Sequence, residues 1–209
     1  MVKSQTIHKM LLLSYLPVLI WSLIKPTKYG IWLAEVGPAV LLILILIVVY
    51  KRFRLTTITY TLIWLASIMM AVGGHYTYEH VPLFDWIRDQ FDLQRNNFDR
   101  LGHCIKGLLI GLLTRELLLR TSPLEKGGWL FSLTLAVAMA IANAYELVEF
   151  AATKIVSGEG QEEFLGMQGD KWDAQWDMLL TTVGCLLAYL LFRRLQDKQL
   201  NRIVAEDRD

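Results

Sequence analysis

Ionisable side chains recur at helical spacing in the second half of the chain. The three clearest pairs are Asp99 with His103, Glu146 with Glu149, and Asp173 with Asp177. Residues three or four positions apart lie on one face of an α-helix, so the two members of each pair would point the same way. Carboxylates and imidazoles that meet in this manner can transfer protons or ligate a metal ion.

Asp99, His103 and Asp173 form the predicted chemical centre. A carboxylate one turn from His103 can orient the imidazole ring or join it as a ligand. The imidazole titrates near neutral pH, which suits a general base and, in the neutral form, metal ligation. Asp173 comes from another segment and is flanked by Trp172 and Trp176. Acid–base catalysis and metal binding both stay open at this point.

A divalent metal would need ligands from several helices. The candidate set is His75, His103, Glu146 and Asp177. The remaining residues predicted to line the pocket are Arg100, Lys106, Glu149, Asp170, Trp172 and Trp176. Neither a His-Glu-x-x-His pair nor a Gly-x-Ser-x-Gly elbow is present, so no specific metalloenzyme or hydrolase motif supports the assignment.

The structural alternative is a network in which the same groups neutralise each other. Its contacts would be Lys106 with Glu146 or Glu149, Arg100 with Asp99 or Asp173, and His75 as a cap of the third helix. Trp172 and Trp176 would then belong to an aromatic belt at the membrane surface. Glu116 is expected to pair with Arg115 at the other end of its helix.

The elements that must position these groups are apolar blocks. The chain has 209 residues, of which 54% are hydrophobic, and its mean hydropathy is +0.38. A membrane-spanning helix needs about 20 mostly apolar residues. Six such blocks lie at about 10–24, 31–50, 55–73, 101–119, 129–150 and 178–192. The predicted fold is an all-α polytopic membrane protein, a single 1–209 domain built as a six-helix transmembrane bundle with two longer outer loops.

Charge distribution predicts the orientation of this bundle. Counted by loop, thirteen Lys and Arg lie on the side of the termini and seven on the other, which places both termini in the cytoplasm. The ionisable ends of five helices then share one depth near the outer leaflet, beneath loops 74–98 and 151–176. Within the first loop, Phe84, Ile87 and Phe91 share a helical face that would lie flat in the interface. A net charge of +1 without a basic, aromatic stripe argues against nucleic-acid binding.

Four segments carry a resemblance to a known family. Residues 74–78, 96–103, 145–150 and 165–178, and above all the Gly-Asp-x-Trp-Asp-x-Gln-x-Asp block at 169–177, resemble the YjdF-type family of bacterial inner-membrane proteins. The resemblance runs along nearly the whole chain. It implies a multi-pass protein of a Gram-negative inner membrane. The family brings no assigned reaction, so no catalytic residue is carried over.

The favoured function is an envelope enzyme or binding protein that acts on a lipid-like or amphipathic molecule at the outer leaflet. The alternatives are a small-molecule transporter and a structural or regulatory membrane protein without catalytic activity. A transporter site is expected near the membrane midplane, whereas the middles of the second and third blocks are nearly free of ionisable groups. The sequence does not distinguish an enzyme from a binding protein, and it indicates no oligomeric state.

Overall fold

The chain folds into helices throughout the part that is described. The structure is a computed structural model and describes residues 4–153 and 168–206, so residues 154–167 of the predicted second outer loop lie outside it. Its helices are α1 Ser4–Leu23, α2 Tyr29–Val49, α3 Thr57–Tyr76, α4 Pro82–Gln90, α5 Phe98–Thr121, α6 Gly128–Thr153 and α7 Asp173–Glu206. The prediction of an all-α fold is confirmed, since these two ranges contain no strand.

Among residues 4–153 and 168–206, five helices are long and apolar enough to cross a membrane, namely α1, α2, α3, α6 and α7. The predicted fourth span, 101–119, lies in α5, which does not belong to this group. α5 carries Lys106, Arg115 and Glu116 within that stretch, and it packs against α3, α6 and α7. Charged groups in membrane helices face the interior of a bundle, where other helices can neutralise them. The count of six spans therefore stays a prediction.

One end of the bundle, here called the polar end, collects the ionisable residues. α3 and α6 finish there, and α2, α5 and α7 begin there. The hydroxyl of Tyr145 in α6 donates to Glu35 in α2 at 3.1 Å, and His103 in α5 faces Asp177 in α7 at 3.9 Å. The long helices thus alternate between the two ends, as the hydropathy pattern predicts.

The opposite end, here called the basal end, holds the first turn of α1 and the last turn of α7. His8 of α1 hydrogen-bonds Thr57 at the start of α3 at 2.9 Å. Arg54, just before α3, donates to Glu206 of α7 at 2.5 Å. The first described helix therefore begins where the last one ends.

Small residues bring α5 and α7 into close parallel contact. A Cβ atom added to Gly107 would collide with the backbone carbonyl of Thr181, and one added to Gly184 would collide with the carbonyl of Cys104. Gly111, four residues after Gly107, packs on the next turn of α7. Small residues at this spacing let two membrane helices approach backbone to backbone. This contact sets the first turns of α5 and α7 side by side.

α7 is much longer than the predicted span, which ended at Phe192. Its 34 residues correspond to about 51 Å, against about 30 Å for the hydrocarbon core of a bilayer. The prediction stopped where Arg193 and Arg194 begin, because hydropathy marks the membrane boundary and not the end of the helix. Gln196, Leu200 and Ile203 share a buried face and hold this extension against the basal end.

The short helix α4 forms where the amphipathic spacing predicted an interfacial segment. Phe84 turns inward and its ring packs edge-on against Phe98. Leu83, Trp86 and Phe91 are exposed, with Trp86 at 60%. The exposed apolar face is therefore rotated from the predicted one, because Phe84 packs against Phe98 in the interior of the protein.

Candidate functional site

The centre of the polar end is His103, whose imidazole lies between two carboxylates. Nε2 of His103 is 3.5 Å from Oδ1 of Asp99, one turn earlier in α5, and 3.9 Å from Oδ2 of Asp177 in α7. One ligand atom from each residue lies within 4.8 Å of the other two, and all three side chains are buried. His103 is only 3% exposed. We call these three residues the Asp–His–Asp cluster.

The second ring nitrogen of His103 has a partner that orients the ring. Nδ1 lies 3.4 Å from the hydroxyl of Thr181, and this hydroxyl donates to the backbone carbonyl of His103 at 3.4 Å. With the hydroxyl donating to the carbonyl, its oxygen can accept a hydrogen bond from Nδ1–H, and this is the tautomer that suits metal ligation through Nε2. The lone pair of a neutral His103 then lies on Nε2, between two carboxylates, where it needs a proton or a cation.

Two arginines and two aspartates form a layer beside the cluster. Arg95 forms an ion pair with Asp173 and lies 3.9 Å from Asp170. Arg100 donates to Asp170 at 2.6 Å, and its guanidinium stacks 5.2 Å from the ring of Trp176. Asp173, predicted to belong to the chemical centre, is therefore held by an arginine.

Lys106 lies among aromatic rings and does not form the predicted ion pair. Its Nζ is 4.4 Å from the ring centroid of Tyr145 and 5.5 Å from that of Tyr78. Among the described residues, neither Glu146 nor Glu149 forms a salt bridge with it. Lys106 nevertheless interacts electrostatically with both glutamates.

Tyr78 adds a phenol to the polar end. A left-handed Thr77 ends α3 and folds Tyr78 back against Gly73, where a Cβ atom would collide with the phenol ring. Burial raises the pKa of Tyr78 well above its ordinary value, and the carboxylate of Glu35 adds to the rise. The phenol therefore stays protonated at neutral pH and can donate a hydrogen bond.

Acidic groups outnumber basic ones at the polar end. The acidic residues in and directly around the Asp–His–Asp cluster are Glu35, Asp99, Glu146, Glu149, Asp170, Asp173 and Asp177, and the basic residues that interact with them are Arg95, Arg100 and Lys106. Oδ1 of Asp177 and Oε1 of Glu146 are buried without a hydrogen-bond partner among the described residues. Buried anions are costly unless they are neutralised, so the surplus requires protons or a bound cation.

The Asp–His–Asp cluster has the donors that a divalent metal requires. Imidazole nitrogen and carboxylate oxygen both bind zinc and other first-row divalent ions. Two atoms bound to the same ion at about 2.1 Å can be at most about 4.2 Å apart. The separations of 3.5 and 3.9 Å from Nε2 to the two carboxylates satisfy this limit, and the ligand atoms of the two carboxylates lie within 4.8 Å of each other. Thr181 would serve as the outer partner that orients the ligating imidazole.

His75 lies apart from this cluster, although it was predicted as a ligand. Its Nδ1 contacts the backbone carbonyl of Ser22 at 3.0 Å, and its ring packs on Trp21 and Tyr76. The side chain thus joins the end of α1 to the end of α3. The structure brings Asp99, His103 and Asp177 together, with Glu146 and Glu149 as electrostatic neighbours of Asp99.

Trp172 and Trp176 lie on the outside of the site, as an aromatic belt would. Both are exposed, and Lys171 stacks on the ring of Trp172 as Arg100 does on that of Trp176. The predicted pairing of Arg100 with Asp99 or Asp173 is replaced by the pairing with Asp170.

Four residues of the polar end were not among the predicted site residues: Glu35, Tyr78, Arg95 and Thr181. Glu35 is the only acidic residue of α2 and was visible as an ionisable group at a helix end. Arg95 follows α4 and precedes α5, and only the fold brings it to Asp173. Thr181 is one turn beyond Asp177, so helical spacing was an available signal for it.

At the basal end, the predicted pair of Glu116 with Arg115 is wrong. Glu116 is fully buried and accepts hydrogen bonds from the amide and hydroxyl of Thr56, from Thr59 and from Arg120. Arg115 instead donates to Gln196 and Asp197. Neighbouring positions on a helix point in different directions, so adjacent charges rarely pair. The carboxylate of Glu116 is therefore satisfied by hydrogen bonds, which indicates a structural role.

The apolar helices and the enclosed polar end define a multi-pass helical membrane protein. Residues 7–198 match the family model described as "Predicted membrane protein (DUF2238)", and the chain belongs to this family. It is 37% identical over 185 residues to the inner membrane protein YjdF of Escherichia coli (strain K12), an alignment that covers 88% of each chain. The predicted YjdF-type resemblance is confirmed. No solved structure matches the chain.

Proposed function

We propose that the Asp–His–Asp cluster binds a divalent metal ion and that the protein uses this centre, as an enzyme or a binding protein, on the polar head of a lipid-like molecule. The observation that carries the proposal is the position of Nε2 of His103 between Asp99 and Asp177. Thr181 lies 3.4 Å from the other ring nitrogen, and in the tautomer with a proton on Nδ1 the Nε2 lone pair lies between both carboxylates. A cation at this point would neutralise part of the acidic surplus.

The proposed location is the outer surface of the inner membrane. The Lys and Arg distribution predicts that the polar end faces outward, and the similarity to an inner membrane protein is consistent with this location. Leu83 and Trp86 of α4, Phe91 just after it and the exposed Trp176 surround the polar end with apolar surface. Amphipathic aromatic residues of this kind lie at the level of lipid headgroups. A molecule with a polar head and an apolar tail fits both the site and its surroundings.

The same arrangement argues against a transporter. Transporter substrates bind near the bilayer midplane, often at interrupted helices. Here the helical ionisable groups of the polar end lie within the first or last three turns of their helices. Two ion pairs, Arg95 with Asp173 and Arg100 with Asp170, favour a structural role for these four residues. They do not involve the residues of the Asp–His–Asp cluster.

The metal is tested by elemental analysis of protein purified in mild detergent and dialysed against zinc or manganese. His103→Ala and Asp177→Asn are compared with His80→Ala and Asp89→Asn, which alter the same residue types at exposed positions. We expect bound metal near one ion per chain in the wild type and both controls, and at least about a tenfold loss in the two cluster variants. Equal metal content in all five proteins would reject the metal centre.

The reaction is tested in cells. Envelope lipids of a deletion strain are compared after complementation with the wild type, His103→Ala and His80→Ala. We expect a lipid species that changes in the deletion strain to be restored by the wild type and by His80→Ala but not by His103→Ala. Restoration by all three would leave the cluster as a structural feature and would contradict the proposed activity.

A further inference from the structure

A groove between α1, α2 and α3 lies near the basal end, far from the polar centre. It encloses a cavity of about 250 Å³. α1 and α2 each pack along α3 and make only sparse contact with each other, which leaves the groove between them. Its apolar lining includes Leu11, Leu12, Ile43, Leu46, Ile47 and Ile63. Since all three helices are candidate membrane spans, the groove opens toward lipid.

The basal end of the groove is closed by His8. Its Nδ1 lies 2.8 Å from the hydroxyl of Tyr50 at the end of α2, and its Nε2 lies 2.9 Å from Thr57. The ring also packs on Tyr60, with centroids 4.4 Å apart. Both nitrogens are engaged, so His8 joins three helices and fixes the shape of the groove.

Two further features point to a ligand with a polar portion. Tyr15 lines the groove and is 2% exposed, yet its hydroxyl has no hydrogen-bond partner among the described residues. Lys9 lines the mouth, and Lys51 and Arg52 are exposed just after α2 ends at the same level. Glu206, the last residue of α7, lies at the same end of the bundle, but its carboxylate is already paired with Arg54. The mouth is therefore basic.

We propose that this groove holds one acyl chain of an anionic glycerophospholipid from the leaflet at the basal end. The volume is below the roughly 300–1,000 Å³ of a typical small-molecule pocket, which suits a single chain and not a whole lipid. Helical side chains lean toward the N-terminus, so the Tyr15 hydroxyl lies on the Lys9 side of its backbone. Lys9 binds the phosphate of the lipid, and the ester carbonyl accepts a hydrogen bond from the buried Tyr15 hydroxyl once its ring turns toward the groove. This site is independent of the proposed function.

The proposal is tested with detergent-solubilised protein, stripped of lipid and incubated with equal amounts of phosphatidylglycerol and phosphatidylcholine. Native mass spectrometry then counts the retained lipid of each kind. We expect the wild type to retain one phosphatidylglycerol. Ile43→Trp should abolish retention by filling the groove, whereas Val48→Trp, at an 83% exposed position of the same helix, should not. Equal retention by both variants would overturn the site.

Two conservative variants separate the parts of the ligand. Lys9→Gln should reduce the preference for phosphatidylglycerol by about fivefold, because one lysine near an anionic headgroup contributes about 1 kcal/mol. Tyr15→Phe should weaken retention of both lipids without changing the preference. Retention of both lipids in equal amounts by the wild type, or of a different hydrophobic molecule from cells, would contradict the assignment to an anionic phospholipid. Thermal unfolding of each variant shows that the comparison concerns folded protein.

Discussion

Three aspartates of the polar end have different neighbours, and we infer different roles for them from these contacts. Asp99 and Asp177 both face Nε2 of His103, and Oδ1 of Asp177 has no hydrogen-bond partner in the described ranges. Asp173 is equally buried but is bound by Arg95. We therefore expect Asp99 and Asp177 to be needed for metal, and Asp173 for the fold of the polar end.

Replacing Asp173 with asparagine should destabilise the protein without removing the metal. The change leaves the buried guanidinium of Arg95 without this carboxylate, and loss of one partner of a buried ion pair costs about 3 kcal/mol in the free energy of unfolding. Unfolding by sodium dodecyl sulfate in mixed micelles, followed by tryptophan fluorescence, measures the loss.

The control for this prediction is Asp89→Asn, which breaks an exposed pair with Arg88 and should change stability by less than about 1 kcal/mol. A variant Asp173→Asn that keeps full stability and loses its metal would make Asp173 a ligand and restore it to the chemical centre.

Helices α5 and α7 depend on each other for position. α5 carries charged residues that are too polar to face lipid. Its close contact with α7 at Gly107 and Gly184 surrounds these residues with protein. The same contact aligns Asp99 and His103 of α5 with Asp177 and Thr181 of α7. Packing of the two helices and assembly of the cluster are therefore one event.

Replacing Gly107 with leucine should separate the two helices. The new side chain would collide with the backbone of α7 at Thr181, which cannot move aside as a flexible side chain can. Overpacking of this kind costs about 1–3 kcal/mol or more. We expect a lower unfolding temperature together with loss of bound metal, measured by thermal unfolding in detergent and elemental analysis.

Gly128→Leu is the matched control, since no atom lies within 4 Å of a Cβ built at that glycine. It should leave both readouts near the wild-type values. If Gly107→Leu retained its metal, the cluster would not require the close approach of α5 and α7.

The bundle as a whole begins and ends at the basal end, through the contacts of His8 with Thr57 and of Arg54 with Glu206. Together with the Lys and Arg distribution, and with α5 counted as a sixth span, this predicts that both termini lie on the cytoplasmic side. The predicted membrane orientation rests on charge, whereas the common end of the first and last helices is seen in the packing.

Reporter fusions test this topology. A reporter that is active only in the cytoplasm should be active after Arg202, and one that is active only in the periplasm should be active after Asp92, in the connection between α4 and α5. Exchanging the two reporters is the control, and each should then be silent. Periplasmic signals after both Asp92 and Arg202 would mean an even number of spans between these two sites and would contradict the six-span arrangement.

Much of the architecture was predictable because hydrophobic length and helical period act locally. The apolar blocks predicted every long helix to within a few residues at most boundaries, and the amphipathic stretch at 84–91 predicted α4. Alternation of the helices then predicted that Asp99, His103, Glu146 and Asp177 share one end. Each of these inferences needs only the chain order and the rise of a helix.

The partners within the polar end were decided by tertiary structure. Rotation of each helix about its axis determines whether two groups at the same depth meet, and hydropathy carries little information on that angle. Hence His75 contacts Ser22, and Lys106 lies on the ring of Tyr145. Asp173 binds Arg95, which lies in the connection between α4 and α5, and the sequence does not determine the path of that connection. His103 meets Asp177 because glycines let α5 and α7 approach closely, and this contact exists only once both helices are packed.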